Sequence, residues 1–298
     1  MNKDYFAAML RGFIKLIRPT QWLKNLILLA ALIFAGEATH PDKAITALAA
    51  VLVYCLLSSS LYILNDIVDR DKDKNHPLKK NRPVAAGIIP TSGASVLALF
   101  FLILGLGTAW TFNLNFFIIS CVFISLNLLY SFWLKHIVIV DVMTIAASFV
   151  IRAYAGAFAI DVPASKWLII NTLLLALFLG FGKRRHELVL LEKDADTHRR
   201  ALDRYSPYLL DQLIGVVTAS VVVMYMLYTF STEVMDKLGT SNLYFTIPFV
   251  IFGIFRYLYL IHKEERGGSP TRVLISDLPI LFTVIFWVLT VYLVLYVK

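Results

Sequence analysis

Long apolar runs separated by short polar segments dominate the chain from about residue 22 onward. A transmembrane helix needs about 20 consecutive apolar residues. Windows of that kind fall near residues 22–35, 44–64, 92–111, 115–133, 141–160, 166–182, 210–230, 243–262 and 276–297. The first run is short, and we expect it to extend back through the RPTQW segment. The pattern predicts an all-α, polytopic membrane protein with nine transmembrane helices in one domain, residues 1–298.

The composition agrees with this prediction. Of the 298 residues, 59% are hydrophobic and 16% are charged, and the mean hydropathy is +0.73, which is more apolar than a water-soluble domain can accommodate. Cys55 and Cys121 both lie inside apolar runs, where packing explains a cysteine better than a disulfide or a metal site. The net charge of +8 does not indicate nucleic acid, because the basic residues cluster beside the apolar runs.

The distribution of those basic residues predicts an orientation. Most of the 28 Lys and Arg residues lie in alternate polar segments: the N-terminal segment and residues 65–91, 183–209 and 263–275. Lys and Arg are enriched in cytoplasmic loops. We therefore expect these segments to face the cytoplasm, with the protein in the inner (cytoplasmic) membrane and its C-terminus outside. Residues 1–20 are amphipathic and predict a helix that lies on the membrane interface.

The segment Asn65–Gly87 combines carboxylates, basic residues and two prolines at the end of the second predicted helix. An α-helix advances about 100° per residue, so four oxygen ligands share one face while Asp71 points away. The four are Asn65, Asp66, Asp69 and Asp73. Carboxylates packed this closely repel one another unless a cation lies between them, and Mg²⁺ bound to substrate phosphates is the usual solution. A solvated loop is the alternative, but the face-selective spacing favours a metal site.

Basic residues that suit a polyanionic substrate occur in several places along the chain. The candidates for phosphate binding are Lys24, Lys79, Lys80, Arg82, Lys135, Arg152, Lys183, Arg184 and Arg185, with Glu187 beside the last three. Arg152 lies near the middle of the fifth predicted span, where an arginine is costly unless it lines a polar cavity. Lys24 and Asn25 lie just inside the first span and either snorkel to the headgroups or turn into such a cavity.

Several segments together resemble a known family. RPTQWLKN at the first span, NDIVDRDKD followed by RPVAAG after the second, and YSFWLK after the fourth are similar to the motifs of UbiA-type intramembrane prenyltransferases. Typical members have a second aspartate-rich motif after the sixth helix. This chain has GKRRHE there, with Glu187, Glu192, Asp194 and Asp196 as its only acidic substitutes. The combination resembles the decaprenyl-phosphate phosphoribosyltransferase branch of the family.

The resemblance implies a UbiA-like bundle with a polar cavity that faces the cytoplasm. It also implies Mg²⁺-dependent transfer of 5-phosphoribose from phosphoribosyl diphosphate to a polyprenyl phosphate, as a step toward cell-envelope glycolipid precursors. In this hypothesis Mg²⁺ on Asp66, Asp69 and Asp73, assisted by Asn65, holds the diphosphate together with Lys79, Lys80 and Arg82. Lys183, Arg184 and Arg185 would hold the 5-phosphate, with Glu187 orienting them or the ribose. Lys24, Lys135 and Arg152 are the candidates for the lipid phosphate.

Other functions compete with this hypothesis. A conventional UbiA-type enzyme would move a prenyl group from its diphosphate to an aromatic ring, but its second loop would carry aspartates. A CDP-alcohol phosphotransferase would show a DG-xx-AR element, which this chain lacks. A transporter of anionic lipids would place Arg152 on its path, although no internal repeat is evident. Association with further copies of the chain is compatible with the sequence.

Overall fold

The structure is a computed structural model that describes residues 3–75, 79–192, 205–264 and 268–297, and these residues contain helices and no strand. A 3₁₀ helix, Pro19–Ile27, leads directly into α2. The α-helices, numbered along the chain, are α1 Lys3–Ile17, α2 Leu28–Phe34, α3 Pro41–Val68, α4 Arg70–Lys74, α5 Thr91–Phe112, α6 Leu114–Phe132, α7 Val140–Ala159, α8 Lys166–Glu192, α9 Pro207–Phe230, α10 Thr232–Leu238, α11 Ile247–His262, α12 Pro270–Ser276 and α13 Leu278–Tyr296.

Within the described ranges, eight helical segments are long and apolar enough to cross a membrane. They are Pro41–Val68, Thr91–Phe112, Leu114–Phe132, Val140–Ala159, Lys166–Val189, Pro207–Phe230, Asn242–His262 and Leu278–Tyr296. These eight segments correspond to the second through ninth predicted spans. The all-helical membrane fold is therefore confirmed, whereas the first predicted span is not a continuous α-helix.

The first span is instead a composite of the 3₁₀ helix and α2, and it begins at Pro19 as the predicted extension through RPTQW requires. A 3₁₀ helix rises about 2.0 Å per residue and an α-helix about 1.5 Å. The composite is therefore about 28 Å long, close to the roughly 30 Å of a bilayer core. A 3₁₀ run of nine residues is unusually long and marks this segment as a strained or functional one.

Two apolar cores hold the helices together, and α7 contributes to both. The first core surrounds the fully buried Tyr54 of α3 and includes Phe123 of α6 and Ala155 of α7. The second includes Val142 of α7 and Phe178 of α8, together with residues of α9 and α11. Polar residues near the start of α7 therefore lie where the two halves of the bundle meet.

The composite segment packs unusually closely against α7. A Cβ atom on Gly156 would lie 2.1 Å from the backbone oxygen of Leu28, so only glycine allows this approach. Asn25 lies one turn before Leu28, and Arg152 lies one turn before Gly156. The close contact thus brings the polar residues of the first span against the arginine of α7.

Helix α1 packs its apolar face on the rest of the bundle. Leu16 is fully buried and belongs to a cluster with Ile63 of α3 and with Val84 and Ile89 of the loop before α5. Arg11 and Lys15 are exposed, as an amphipathic helix requires. The N-terminal helix is therefore anchored beside the loop that follows the aspartate-rich segment.

Candidate active site

The aspartate-rich segment runs from the end of α3 into α4. This end of α3 is the one predicted to face the cytoplasm. The amide of Asp69 donates to the Asn65 carbonyl at 2.9 Å, and the amide of Asp73 donates to the Asp69 carbonyl at 2.8 Å, so the helical hydrogen bonds continue through the junction. Asp66 and Asp73 are buried. Asp71 is exposed and pairs with Lys74 at 2.9 Å, and it points away from the shared face, as the helical spacing predicts.

Two arginines neutralise the buried carboxylates. The guanidinium of Arg18 donates to Asp66 Oδ1. Arg82 Nη1 lies 3.1 Å from the same oxygen and 2.7 Å from Asp73 Oδ2. Arg82 was predicted to bind the substrate diphosphate, but here it is the cation between the two carboxylates. Like charges that close need such a partner, so the predicted crowding of Asp66 and Asp73 is present.

The other two predicted ligands are placed differently. Asp69 is partly exposed, and its Oδ1 lies 3.7 Å from Lys135 Nζ, which draws this carboxylate toward the end of α6. Asn65 is partly buried. No group of three or more His, Cys, Asp or Glu residues within the described ranges is close enough to hold a metal ion. The predicted four-ligand set is therefore only partly assembled, as the pair Asp66 and Asp73.

The acidic pair nevertheless suits a hard divalent cation. One guanidinium nitrogen contacts both Asp66 and Asp73, so a single cation can bridge the two carboxylates. Their oxygen atoms are the ligand type that Mg²⁺ prefers. Asp69 lies between them in sequence, on the same run of helical hydrogen bonds, and its contact with Lys135 is long. These residues fit a Mg²⁺ ion that also binds phosphate oxygens.

A second charged cluster surrounds Arg184 of α8. All three nitrogens of its guanidinium have partners: Nε donates to Asp141 Oδ2 at 2.6 Å, Nη1 donates to Glu187, and Nη2 donates to the Tyr130 hydroxyl at 3.1 Å. The side chain is 3% exposed. Arg184 was predicted to bind the 5-phosphate, and that role stays a prediction, since each of its guanidinium nitrogens already has a protein partner.

Tyr205, two residues before the start of α9, completes this cluster. Its hydroxyl donates to Asp141 Oδ1 at 2.8 Å and accepts from the Ile139 amide at 2.6 Å. Burial raises the pKa of Tyr205, so the hydroxyl stays protonated at physiological pH. Together with Arg184, it connects α7 and α8 to the beginning of α9.

The three basic residues of the GKRRHE segment point to different places. Lys183 is 39% exposed and lies 3.6 Å from Glu187. Arg185 pairs with Asp211 at 2.5 Å, and Asp211 also contacts His262 at a groove of about 500 Å³ between α9 and α11. Arg185 thus has a carboxylate partner of its own, and its predicted binding of the 5-phosphate stays a prediction. Of the three side chains, that of Lys183 is the most exposed. Asp194 and Asp196 lie outside the described residues.

The deepest polar group centres on Arg152, which is 5% exposed. Its Nε donates to Asn25 Oδ1 at 2.9 Å, and its Nη1 donates to the Ser148 hydroxyl and carbonyl at 2.9 and 3.0 Å. The guanidinium also lies 4.6 Å from the Phe123 ring centre. Among the described residues Arg152 has no ion pair and Nη2 has no hydrogen bond. Asp141, at the start of the same helix, binds Arg184 instead.

Lys24 and Asn25 turn inward rather than toward the headgroups. Asn25 is fully buried, and its amide nitrogen lies 3.4 Å from Cys55 Sγ. The charge of Lys24 interacts with those of Arg152 and Arg18, and Lys24 has no ion pair or hydrogen bond with any other described residue. The site therefore has an inner subsite, formed by Lys24, Asn25 and Arg152, that contains positive charge and no carboxylate.

The end of α6 connects the two charged clusters. Tyr130 contacts Arg184, and Lys135 approaches Asp69. Helix α3 contacts both parts of the site. Ser58 contacts Asn25 of the inner subsite, and Asp66 contacts Arg18. Eight residues of α-helix separate Ser58 from Asp66, which is about 12 Å. The inner subsite therefore lies about 12 Å from the carboxylates along α3.

Arg18 and Tyr205 are among the residues of the site that were not sequence candidates. Arg18 was assigned to the interfacial helix, and only its position before Pro19 in the RPTQW segment signals a special role. Tyr205 carries no recognisable motif. Lys79 and Lys80 form a short 3₁₀ turn before Arg82, and Lys80 is exposed. Both lysines are near the carboxylates in sequence, with Lys80 open to solvent.

The fold and the site define an integral membrane protein whose helices enclose a charge-rich polar site. Residues 25–278 match the model of the UbiA prenyltransferase family, and the chain belongs to that family. It is 32% identical over 289 residues to the decaprenyl-phosphate phosphoribosyltransferase of Mycolicibacterium smegmatis, covering 94% of this chain and 91% of the relative. The enzyme of that name from Corynebacterium glutamicum is 31% identical, covering 96% of this chain and 87% of the relative.

Solved structures support the same fold. A UbiA homolog from Archaeoglobus fulgidus bound to GPP and Mg²⁺ superimposes with a TM-score of 0.70 at 19% identity, over 96% of this chain and 100% of that one. The resemblance inferred from the sequence motifs is confirmed by these comparisons. Because the relatives are transferases, the chain is a membrane-embedded transferase, and its site is to be understood in terms of group transfer.

Proposed function

We propose that the protein transfers 5-phosphoribose from phosphoribosyl diphosphate to a polyprenyl phosphate and releases diphosphate, in an Mg²⁺-dependent reaction. The names of the relatives that align over nearly the whole chain support this assignment. The membrane helices give the lipid product a place in the bilayer. The product would serve as a precursor for glycolipids of the cell envelope.

The observation that carries the proposal is the inner subsite at Lys24 and Arg152. A buried arginine without an acidic partner is costly, and a substrate anion removes that cost. A prenyl diphosphate and an aromatic ring would present one phosphorylated group, which the carboxylate-bound metal can hold. Phosphoribosyl transfer brings a diphosphate, a 5-phosphate and a lipid phosphate together, and therefore needs cations beyond the metal.

The residues divide into three subsites in this proposal. Asp66 and Asp73, with Asp69 and Asn65, would hold Mg²⁺, which when bound neutralises charge on the leaving diphosphate. Lys79, Lys80 and Arg82 lie beside this group. Lys183, positioned by Glu187, would bind the 5-phosphate. Lys24 and Arg152 would bind the lipid phosphate, and Lys135, at the end of α6, lies between the two charged clusters.

The chemistry at C1 needs little from the protein beyond positioning. The bond between C1 and the diphosphate oxygen breaks, the diphosphate leaves with the electron pair, and C1 gains oxocarbenium character, as in other glycosyl transfers. An oxygen of the lipid phosphate then forms the new bond to C1. A phosphate oxygen is already ionised at neutral pH, so the protein supplies cations that orient the two substrates and no general base.

In this proposal the site opens toward the cytoplasm. Phosphoribosyl diphosphate is a water-soluble anion of the cytoplasm, and the basic segments are predicted to face that side. The end of α3, the end of α6 and the start of α7 would then open toward the cytoplasm. A polyprenyl tail would leave the inner subsite sideways into the bilayer, and the C-terminus would lie outside.

The test uses the purified full chain with labelled phosphoribosyl diphosphate, a polyprenyl phosphate and Mg²⁺. We expect a labelled phosphoribosyl lipid that disappears when EDTA is added. Asp66→Asn should abolish its formation, while Asp71→Asn, on the opposite face, should leave it intact. If the chain instead prenylates an aromatic acid from a prenyl diphosphate and forms no phosphoribosyl lipid, the proposed donor is wrong.

A further inference from the structure

We propose that Arg18 exchanges partners during substrate binding. In the metal-free protein it neutralises Asp66, and once a divalent cation takes Asp66, the guanidinium binds the diphosphate of the donor. This inference rests on the proposed function, which supplies the cation and the diphosphate. Its consequence is that cation and diphosphate bind together far better than either binds alone.

The backbone of Arg18 is the first observation. Its φ of 53° and ψ of 62° put it in the left-handed region, between α1 and the 3₁₀ helix. That conformation is unfavourable for a residue with a side chain, and Pro19 restricts the preceding residue further. Strain of this kind persists where the surroundings enforce it and clusters at ligand sites. Glycine would fit better, so the arginine side chain must contribute something in return.

The contacts of that side chain are the second observation. The guanidinium reaches Asp66, 48 positions along the chain, and lies 5.2 Å from the ring centre of Tyr62. It is 25% exposed, whereas Asp66 is 1% exposed. Arg18 therefore lies at the rim of the site and covers a buried carboxylate. A diphosphate arriving from water meets the guanidinium before it meets Asp66.

Charge balance is the third observation. Asp66 Oδ1 is shared by Arg18 and Arg82, and Arg82 also contacts Asp73. Two guanidiniums therefore balance two buried carboxylates before any metal arrives. A divalent cation bound alone would create an excess of positive charge beside both arginines. A diphosphate removes that excess, and arginine binds phosphate oxygens well because its planar donors match them.

The experiment measures Mn²⁺ binding to the purified full chain by electron paramagnetic resonance, with and without inorganic diphosphate. The data are corrected for the complex that Mn²⁺ and diphosphate form in buffer. In the wild type we expect weak binding of Mn²⁺ alone and at least about tenfold tighter binding with diphosphate. In Arg18→Gln we expect Mn²⁺ alone to bind about tenfold tighter and the enhancement by diphosphate to fall to about twofold.

The two opposite changes in one variant separate partner exchange from a structural role. A loss of site structure would weaken Mn²⁺ binding both with and without diphosphate, and that result would overturn the proposal. Arg18→Lys retains the charge and should retain most of the enhancement. Arg11→Gln, on the exposed face of α1, is the matched control and should behave as the wild type does.

The assay is independent of transfer activity, since it contains neither ribose nor lipid. A chain that makes no phosphoribosyl lipid but shows the coupled binding would refute the proposed function and retain this inference. A chain that makes the lipid but binds Mn²⁺ equally with and without diphosphate would support the proposed function and refute the exchange of partners by Arg18. Should Arg18→Gln fail to fold, Arg82→Gln provides a second test: Mn²⁺ alone should bind tighter because one of the two arginines on Asp66 is gone, and the enhancement by diphosphate should remain because Arg18 is still present. Loss of the enhancement in Arg82→Gln would overturn the assignment to Arg18.

Discussion

Arg184 and Arg152 are both buried arginines of the helical bundle, and they differ in their partners. Arg184 has every nitrogen engaged and contacts two carboxylates, Asp141 and Glu187. Arg152 has an amide and a hydroxyl group as partners and no carboxylate among the described residues. Removing one member of a buried ion pair is strongly destabilising. A buried arginine without an acidic partner can instead pair with the anion of a substrate. We infer that Arg184 holds the fold and Arg152 binds substrate.

The basic residues of the site differ in whether they already have an acidic partner. Positive charge in the sequence suggests phosphate binding at Arg184, Arg185 and Arg152 alike. In the structure, the first two already have carboxylate partners. Arg152 and Lys24 differ from them, because neither has a carboxylate partner among the described residues.

The largest expected effect is on stability. Arg184→Met leaves Asp141 buried without a countercharge, and we expect the free energy of unfolding to fall by about 3–5 kcal/mol. Denaturant unfolding in detergent measures this loss. Arg185→Met is the matched control: its partner Asp211 is 38% exposed, so about 1 kcal/mol or less is expected. Equal losses in the two variants would contradict the distinction.

Arg152→Met should reduce activity strongly and leave stability nearly unchanged. Because no carboxylate loses its partner, stability should change by about 1 kcal/mol or less. Transfer should fall about 100-fold in kcat/KM, mainly through KM for the polyprenyl phosphate, since a charged hydrogen-bond donor is lost. Steady-state kinetics with each substrate varied in turn gives the result. Arg152→Lys should recover part of the loss, and a variant that unfolds like Arg184→Met would count against a substrate role.

Gly156→Ala tests whether the inner subsite depends on the contact between α2 and α7. The added methyl group meets the Leu28 carbonyl, and overpacking of this kind costs about 1–3 kcal/mol. Moving α2 also moves Lys24 and Asn25 away from Arg152, so KM for the lipid should rise in parallel. Gly107→Ala, whose methyl group would meet no atom within 4 Å, should affect neither quantity adversely.

Lys24→Met should have the smallest effect of the four. Lys24 is a flexible point charge beside the more rigid Arg152, so we expect about a tenfold rise in KM for the polyprenyl phosphate with kcat nearly unchanged. Lys15→Met, which removes an exposed charge from α1, is the control and should leave KM unchanged. A purely structural Lys24 would lower the melting temperature and leave KM at its wild-type value.

Much of the fold and one half of the site could be predicted from the sequence. Apolar runs located eight long membrane helices because helix length and bilayer thickness leave little choice. Helical periodicity also predicted that Asp66 and Asp73 share a face and that Asp71 points away from it. These features depend on neighbours in sequence, which periodicity describes well.

The remaining features depend on contacts between distant segments. Arg18 meets Asp66 across 48 residues, and Arg184 meets Asp141 across 43. Periodicity assigns each side chain to a face but gives no distance between faces, so it could not tell which arginines already have acidic partners. The 3₁₀ conformation of Pro19–Ile27 was likewise missed, because its apolar pattern resembles that of an α-helix.

The most direct test of the inner subsite is the binding of geranyl phosphate to the metal-free protein, measured by isothermal titration calorimetry with geraniol as the uncharged comparison. We expect the wild type to bind geranyl phosphate and not geraniol, and Arg152→Met to lose this preference while remaining folded. Equal affinity of the wild type for the two compounds, or unchanged binding of geranyl phosphate in Arg152→Met, would contradict the proposed role of Arg152.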